Sequence, residues 1–174
     1  MSTGRRIVCF ANSAIAVDYT GERAAAIVDF LYRHAPSQGL AQPHRIYRLA
    51  PDRNQPGNLR LYRGDTLLYS GQSEAECADC LMGDSTHHLA DASHGGLLFH
   101  AGGLAWQGRG ILLPGSIGAG KTTLTAWLVT RGFDLLTDEL VFVPEGADTF
   151  QSLTRPLNIK RPSRAVLQPY FDFN

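Results

Sequence analysis

The sequence predicts an α/β protein: a P-loop nucleotide-binding core preceded by a small N-terminal α+β lobe. Three observations predict it. Gly115-Ser116-Ile117-Gly118-Ala119-Gly120-Lys121-Thr122 is a complete G-x-x-x-x-G-K-[ST] run. The apolar segment 110–114 leads into it and a helix-like stretch, 122–131, leads out, which is the strand–loop–helix setting such a run requires. From Gly95 onward the composition also shifts towards glycine and apolar residues. The expected division is therefore 1–92 for the lobe and 93–174 for the core.

Bulk properties narrow the functional class. With 44% hydrophobic residues, the chain has enough apolar material for a packed core and does not read as disordered. Lys+Arg and Asp+Glu balance at 16 each, and a general nucleic-acid or membrane-surface binder would carry a basic excess. No apolar run approaches the roughly 20 residues of a membrane span. Arg5-Arg6 is not followed by the long apolar region of a secretory signal. The expectation is a cytoplasmic protein with neither nucleic-acid nor membrane partners, and a homo-oligomer remains possible.

The elements follow in order. Residues 7–10 and 14–17 alternate like strands around an Asn12-Ser13 turn. Thr20 is placed to cap a helix over 21–34, with Ala24, Ile27, Val28 and Leu31 on one face. The segment 35–39 ends it. Three strands, 44–49, 59–63 and 66–70, are separated by turn residues at 51–57 and at Gly64-Asp65, which predicts a small antiparallel sheet. Ser73 and Glu76 form a capping-box pattern opening a helix to about Met82, resuming to Leu89.

Beyond Gly95, strands are expected over 97–100 and 104–107, with a tight turn at Gly108-Arg109-Gly110. After the glycine-rich loop, Leu124, Trp127, Leu128 and Val129 suit a helix lying on a sheet, and Gly132 stops it. The strand 133–137 ends at Asp138-Glu139, and 140–143 and 149–153 extend the sheet antiparallel about a turn at 145–147. A basic, Pro-rich stretch occupies 155–162.

Cys77 and Cys80 form a C-x-x-C with His87 and His88 nearby. Three cysteines are no disulfide framework, and a structural zinc site needs four well-spaced ligands. Positions i and i+3 are neighbours on a helix, so the spacing reads as two small apolar residues sharing a face.

The chemistry converges on the loop. Its glycines let successive N–H groups from Gly115, Ser116, Ile117, Gly118, Ala119, Gly120, Lys121, Thr122 and Thr123 surround a phosphate, at the positive end of the following helix. Lys121 supplies a mobile cation for β/γ-phosphate oxygens, and Thr122 offers a hydroxyl to Mg²⁺. A carboxylate ending the neighbouring strand can hold the metal or take a proton from an attacking hydroxyl. Asp138 and Glu139 stand there and, on extended backbone, point to opposite faces, so they should not share one job. Asp138 is the stronger candidate and Glu139 the weaker. His100, on its residues alone, reads as a core or edge histidine.

His100-Ala101, the run 108–124, Arg131-Gly132-Phe133 and Thr137-Asp138-Glu139-Leu140 together resemble the catalytic core of the HPr kinase/phosphorylase family, in particular its HPr-kinase-related branch. Bacterial members of that branch include kinases encoded beside modified-peptide pathways. The core is also similar to the nucleotide fold of phosphoenolpyruvate carboxykinase. The similarity is strong over 95–143, weaker through Arg155-Pro156-Leu157-Asn158-Ile159-Lys160, and loose over 1–90.

The resemblance implies an ATP- and Mg²⁺-dependent kinase whose acceptor is a hydroxyl, a serine of a protein or peptide. His100 matches the family's active-site histidine, Lys121 its phosphate-binding lysine and Thr122 its metal-binding hydroxyl. Asp138 and Glu139 occupy the place of the paired acids that serve as acceptor base and metal partner. Here the pair is Asp-Glu instead of Asp-Asp, which leaves open which acid is the base. The family's HPr-binding signature is not visible, so HPr as substrate and the reverse phosphorylase reaction are not implied. Relatives continue beyond position 174, which leaves open a core truncated at its C-terminus or an unusually short member. Arg155 and Lys160 are placed to approach the phosphates from the far side. The alternatives are a non-catalytic nucleotide-binding regulatory module or a small-molecule kinase.

Overall fold

Alternating apolar residues and two positive-φ turn residues set the first element pair. In the computed structural model, which describes residues 2–37 and 42–173, β1 (Thr3–Phe10) and β2 (Ser13–Thr20) form an antiparallel hairpin. Ala11 and Asn12 close it with φ of 51° and 63°, the twist that a two-residue hairpin turn demands. The chain forms two compact units, Met1–His94 and Gly95–Asn174.

In the first unit, α1 (Glu22–Tyr32) crosses from β2 to β3 (Arg45–Pro51), which pairs parallel to β2. β4 (Leu59–Arg63) and β5 (Thr66–Gly71) continue as an antiparallel meander, giving a five-stranded sheet in the order β1-β2-β3-β4-β5. β3, β4 and β5 form the expected antiparallel set, and β2 joins it through a parallel pairing with β3. Thr20 does not cap α1, because it is still paired to Thr3 in the sheet; the N-cap is Gly21, at φ 93°. Of the helix-ending segment, Gln38 and Gly39 lie outside the described residues.

Ser73 does cap α2 (Glu74–Asp91), accepting from the Glu76 N–H at 3.2 Å. The helix runs unbroken through Gly83 instead of pausing after Met82, since Cys77, Leu81, Met82, Ser85 and Leu89 bury one continuous stripe that outweighs the cost of one glycine. Tyr47, Leu49, Leu59 and Leu61 supply the sheet side of that core, and Tyr32 Oη meets Ser85 Oγ at 2.7 Å between α1 and α2.

The second unit is built around one long strand, β6 (Gly96–Trp106). Sequence reading breaks it at Gly102-Gly103, but the strand passes through them. The glycines are there because both faces are crowded. A Cβ on Gly102 would strike Thr125 Oγ1, and one on Gly103 would lie 3.1 Å from Val141 and 3.2 Å from Thr137. A turn at Gln107-Gly108, both at positive φ, returns the chain as β7 (Arg109–Pro114) along one edge of β6. After α3 (Lys121–Val129), β8 (Asp134–Thr137) and β9 (Leu140–Pro144) share the other edge end to end. β9 therefore does not fold back on β8; it prolongs it. β10 (Gln151–Ser152) pairs with β9, and α4 (Arg161–Leu167) follows. Phe150 covers the face of Gly103 and Gly110 opposite α3. Among the described residues no helix is long and apolar enough to cross a membrane.

Candidate functional site

The glycine-rich loop occupies 115–120, between β7 and α3, and is exposed along that whole length. Gly118 and Gly120 sit at φ 84° and 86°, with nothing near where a Cβ would stand. Gly120 is the N-cap of α3 in the left-handed conformation, which glycine adopts without strain. The first helical bond is from the Leu124 N–H to Gly120 O at 2.9 Å, so the N–H groups of Lys121, Thr122 and Thr123 precede the ladder. This geometry fits an anion: open positive-φ glycines, N–H groups ahead of the helix and an exposed rim.

Lys121 folds back over the loop, its Nζ donating to Gly115 O at 2.8 Å and to Ser116 O at 3.2 Å. Thr122 is half-buried in the first turn. Thr123 is turned elsewhere: its Oγ1 bonds Ser163 Oγ of α4 at 2.7 Å.

The acid pair lies at a kink along the edge of β6. Gly103 pairs with Thr137 and His100 with Leu140, so Asp138 and Glu139 span Gly102 and Ala101. Thr137 anchors the kink, its Oγ1 donating to Leu153 O at 2.8 Å and accepting from the Glu139 N–H at 3.2 Å. Ala101 then holds the key position. On one side it pairs with Pro114, the last residue before the loop; on the other its N–H donates to Glu139 O at 3.1 Å. The loop and the acids thus leave the sheet at one level, two strand spacings or roughly 10 Å apart. β7 and β8 are both antiparallel to β6 and hence parallel to each other, and the loop and the acids leave their carboxyl ends.

Four of the expected residues come together here, His100 and Arg155 with the acids Asp138 and Glu139. His100 Nε2 is 3.9 Å from Glu139 Oε1, and the histidine is half exposed. By strand alternation His100 shares a face with Gly102, the face on which α3 lies. Arg155 bonds Glu139 Oε2 through Nη2, and its Nε lies 3.6 Å from Asp138 Oδ1. Asp138 is almost wholly buried, and Arg155 keeps only a tenth of its side chain exposed. Arg155 thus meets the acids, where sequence reading sends it towards phosphates. Lys160 is the exposed N-cap of α4. The β9–β10 register signals the Arg155 contact: Gln151 faces Phe142 and Ser152 faces Val141, so continuing it sets Arg155 opposite Asp138.

The C-x-x-C lies on α2, with Cys77 fully buried and its thiol pushed up to about 11 by burial. Cys80 Sγ faces Leu68 O at 3.6 Å. Among the described residues no group of three or more His, Cys, Asp and Glu side chains is placed to hold a metal unaided. A phosphate-bound Mg²⁺ does not require one, since it takes one or two protein oxygens and completes its shell with phosphate and water. Comparison with family models, curated proteins and solved structures finds no match to this chain.

Proposed function

We propose that this chain is an ATP- and Mg²⁺-dependent kinase that phosphorylates a hydroxyl, a serine of a protein or peptide. The observation that supports it most is the placement of the loop and the acid pair on either side of Ala101, at the same end of one sheet. That is where open α/β sheets bind their ligands.

Bound Mg·ATP would supply the transferable phosphoryl group and neutralise part of its charge. The loop N–H groups between Gly115 and Thr123, apart from that of Ala119, which donates to Ser116 O, would bind the phosphates, and the Lys121 ammonium, now on the Gly115 and Ser116 carbonyls, would serve their oxygens. Thr122 and Glu139 would be the oxygen donors for the metal. Asp138, with Oδ1 free of any hydrogen bond, takes the proton of the acceptor hydroxyl. His100 lies beside Glu139 and orients it. Positioning and charge neutralisation provide most of the catalysis in such transfers. The serine acceptor rests on the resemblance to the HPr kinase family.

One observation favours a second reading, a nucleotide-binding module without transfer: the acids already have a cation, Arg155. Incubation with γ-labelled ATP and Mg²⁺, against serine peptides and a panel of hydroxylated metabolites, separates the possibilities. Label on a peptide supports the kinase. Label only on a metabolite makes it a small-molecule kinase, and tight binding with neither leaves the module.

A further inference from the structure

Two adjacent carboxylates, one of them buried, need a cation beside them, because an uncompensated buried charge costs several kcal/mol. Arg155 is that cation. Its two contacts are unequal. Towards Glu139 it makes a hydrogen bond, Nη2 to Oε2. Towards Asp138 the 3.6 Å approach is too long for one, and Asp138 Oδ1 and Arg155 Nε are both buried without a hydrogen-bond partner. Buried polar atoms are normally hydrogen-bonded, so the ion pair with Asp138 is the looser of the two contacts and leaves both atoms able to take another partner.

Building on the Mg·nucleotide reading, we infer that Arg155 is an exchangeable counter-cation: it holds Glu139 while the loop is empty and yields it to Mg²⁺ when the nucleotide is loaded. Arg155 is a positioning residue in this scheme. The exchange replaces one positive charge with two, beside a ligand that brings negative charge. It also frees a planar guanidinium, whose fork of donors matches phosphate oxygens. Pro156 follows directly and restricts the backbone at 155, so the movement falls to the rotatable bonds of the arginine side chain.

The test uses the whole chain, titrated calorimetrically with Mg·ATP and with ATP in EDTA; the ratio of the two affinities reads the contribution of the metal. Arg155→Gln removes the competing cation. Its gain in ATP affinity from Mg²⁺ should exceed that of the wild type by about tenfold or more, and Mg·ATP should raise its melting temperature. The double variant Arg155→Gln/Glu139→Gln should lose that excess. An equal gain from Mg²⁺ in wild type and Arg155→Gln overturns the exchange. If Arg155→Gln does not fold, the Nε–H resonance of Arg155 in the ¹⁵N-arginine-labelled wild type decides. It should shift with Mg·ATP and not with ATP in EDTA; identical responses overturn the exchange. No ATP binding to the wild type, with or without Mg²⁺, would remove the nucleotide reading and the exchange with it. ATP binding with the same gain from Mg²⁺ in both proteins would remove the exchange alone.

Discussion

Gly102 and Thr125 touch without room for another atom: the Cβ that Gly102 lacks would fall well inside 3.0 Å of Thr125 Oγ1. Thr125 is fully buried, so α3 cannot swing aside without disturbing the core of its unit. Gly102→Ala should therefore cost about 1–3 kcal/mol of stability through overpacking. It should also weaken nucleotide binding by shifting the start of α3, whereas Gly83→Ala, with open space around it, should be neutral or stabilising. Denaturant unfolding of the two variants checks this, and equal stability would show that α3 can shift freely on β6.

Local pattern made most of this fold legible. The β1–β2 hairpin, the buried stripe of α1, the Ser73 cap and the strand–loop–helix around Lys121 each follow from residues a few positions apart. What the pattern missed depends on distant partners. Gly102-Gly103 reads as a break until Thr125 and Val141 are seen against it. Thr20 reads as a cap until it pairs with Thr3. In the site, the loop was readable because its chemistry is contiguous. The contact of Arg155 with the acids was not, because it depends on the β9–β10 pairing, which returns the chain to residues 16 or 17 positions earlier.

The thiols should react in order of exposure. Cys77 is fully buried with its thiol raised to about 11, and burial also raises Cys9, which is nearly buried. Cys80 is partly exposed, although burial raises it as well. A thiol reagent at neutral pH should label Cys80 first and the other two only on unfolding, since the thiolate is the nucleophile. Fast labelling of Cys77 would contradict its placement inside α2. Metal analysis should find no stoichiometric zinc; about one zinc per chain, lost in Cys77→Ser/Cys80→Ser, would reverse that expectation.

Acid should weaken the first unit through His88. Arg63 Nη1 donates to Asp84 Oδ1 at 2.6 Å and lies 2.8 Å from His88 Nε2, while Tyr47 Oη donates to Asp84 Oδ2 at 2.7 Å. A neutral ring accepts from Arg63, and burial, with Arg63 adding to it against the opposing pull of Asp84, holds the His88 pKa below 6.5. With the folded value below the unfolded one, the unfolded chain takes up the proton first as pH falls. The stability of the neutral ring is present above about 6.5 and is lost as pH drops towards the folded value. Denaturant midpoints should fall from pH 7 to 5, less steeply in His88→Gln. An unchanged slope in the variant would assign the effect elsewhere.

The two acids should separate by substitution. Asp138→Asn keeps shape but cannot take a proton, so phosphotransfer should fall by roughly 10²–10⁴-fold while nucleotide affinity changes little. Glu139→Gln weakens the bond to Arg155, so it should lower stability and metal dependence before the chemical step. Transfer abolished by Glu139→Gln and near wild type in Asp138→Asn would exchange their roles.

Calorimetric titration of Mg·ATP into the wild type and Lys121→Ala tests the nucleotide site itself. Among the described residues Lys121 bonds carbonyls of its own exposed loop, so its removal should leave thermal unfolding nearly unchanged. The wild type should bind with a stoichiometry of one, and Lys121→Ala should weaken that binding by about tenfold or more through loss of the cation facing the phosphates. No Mg·ATP binding to the wild type, or equal binding to both proteins, would contradict the assignment of 115–122 as a phosphate-binding loop.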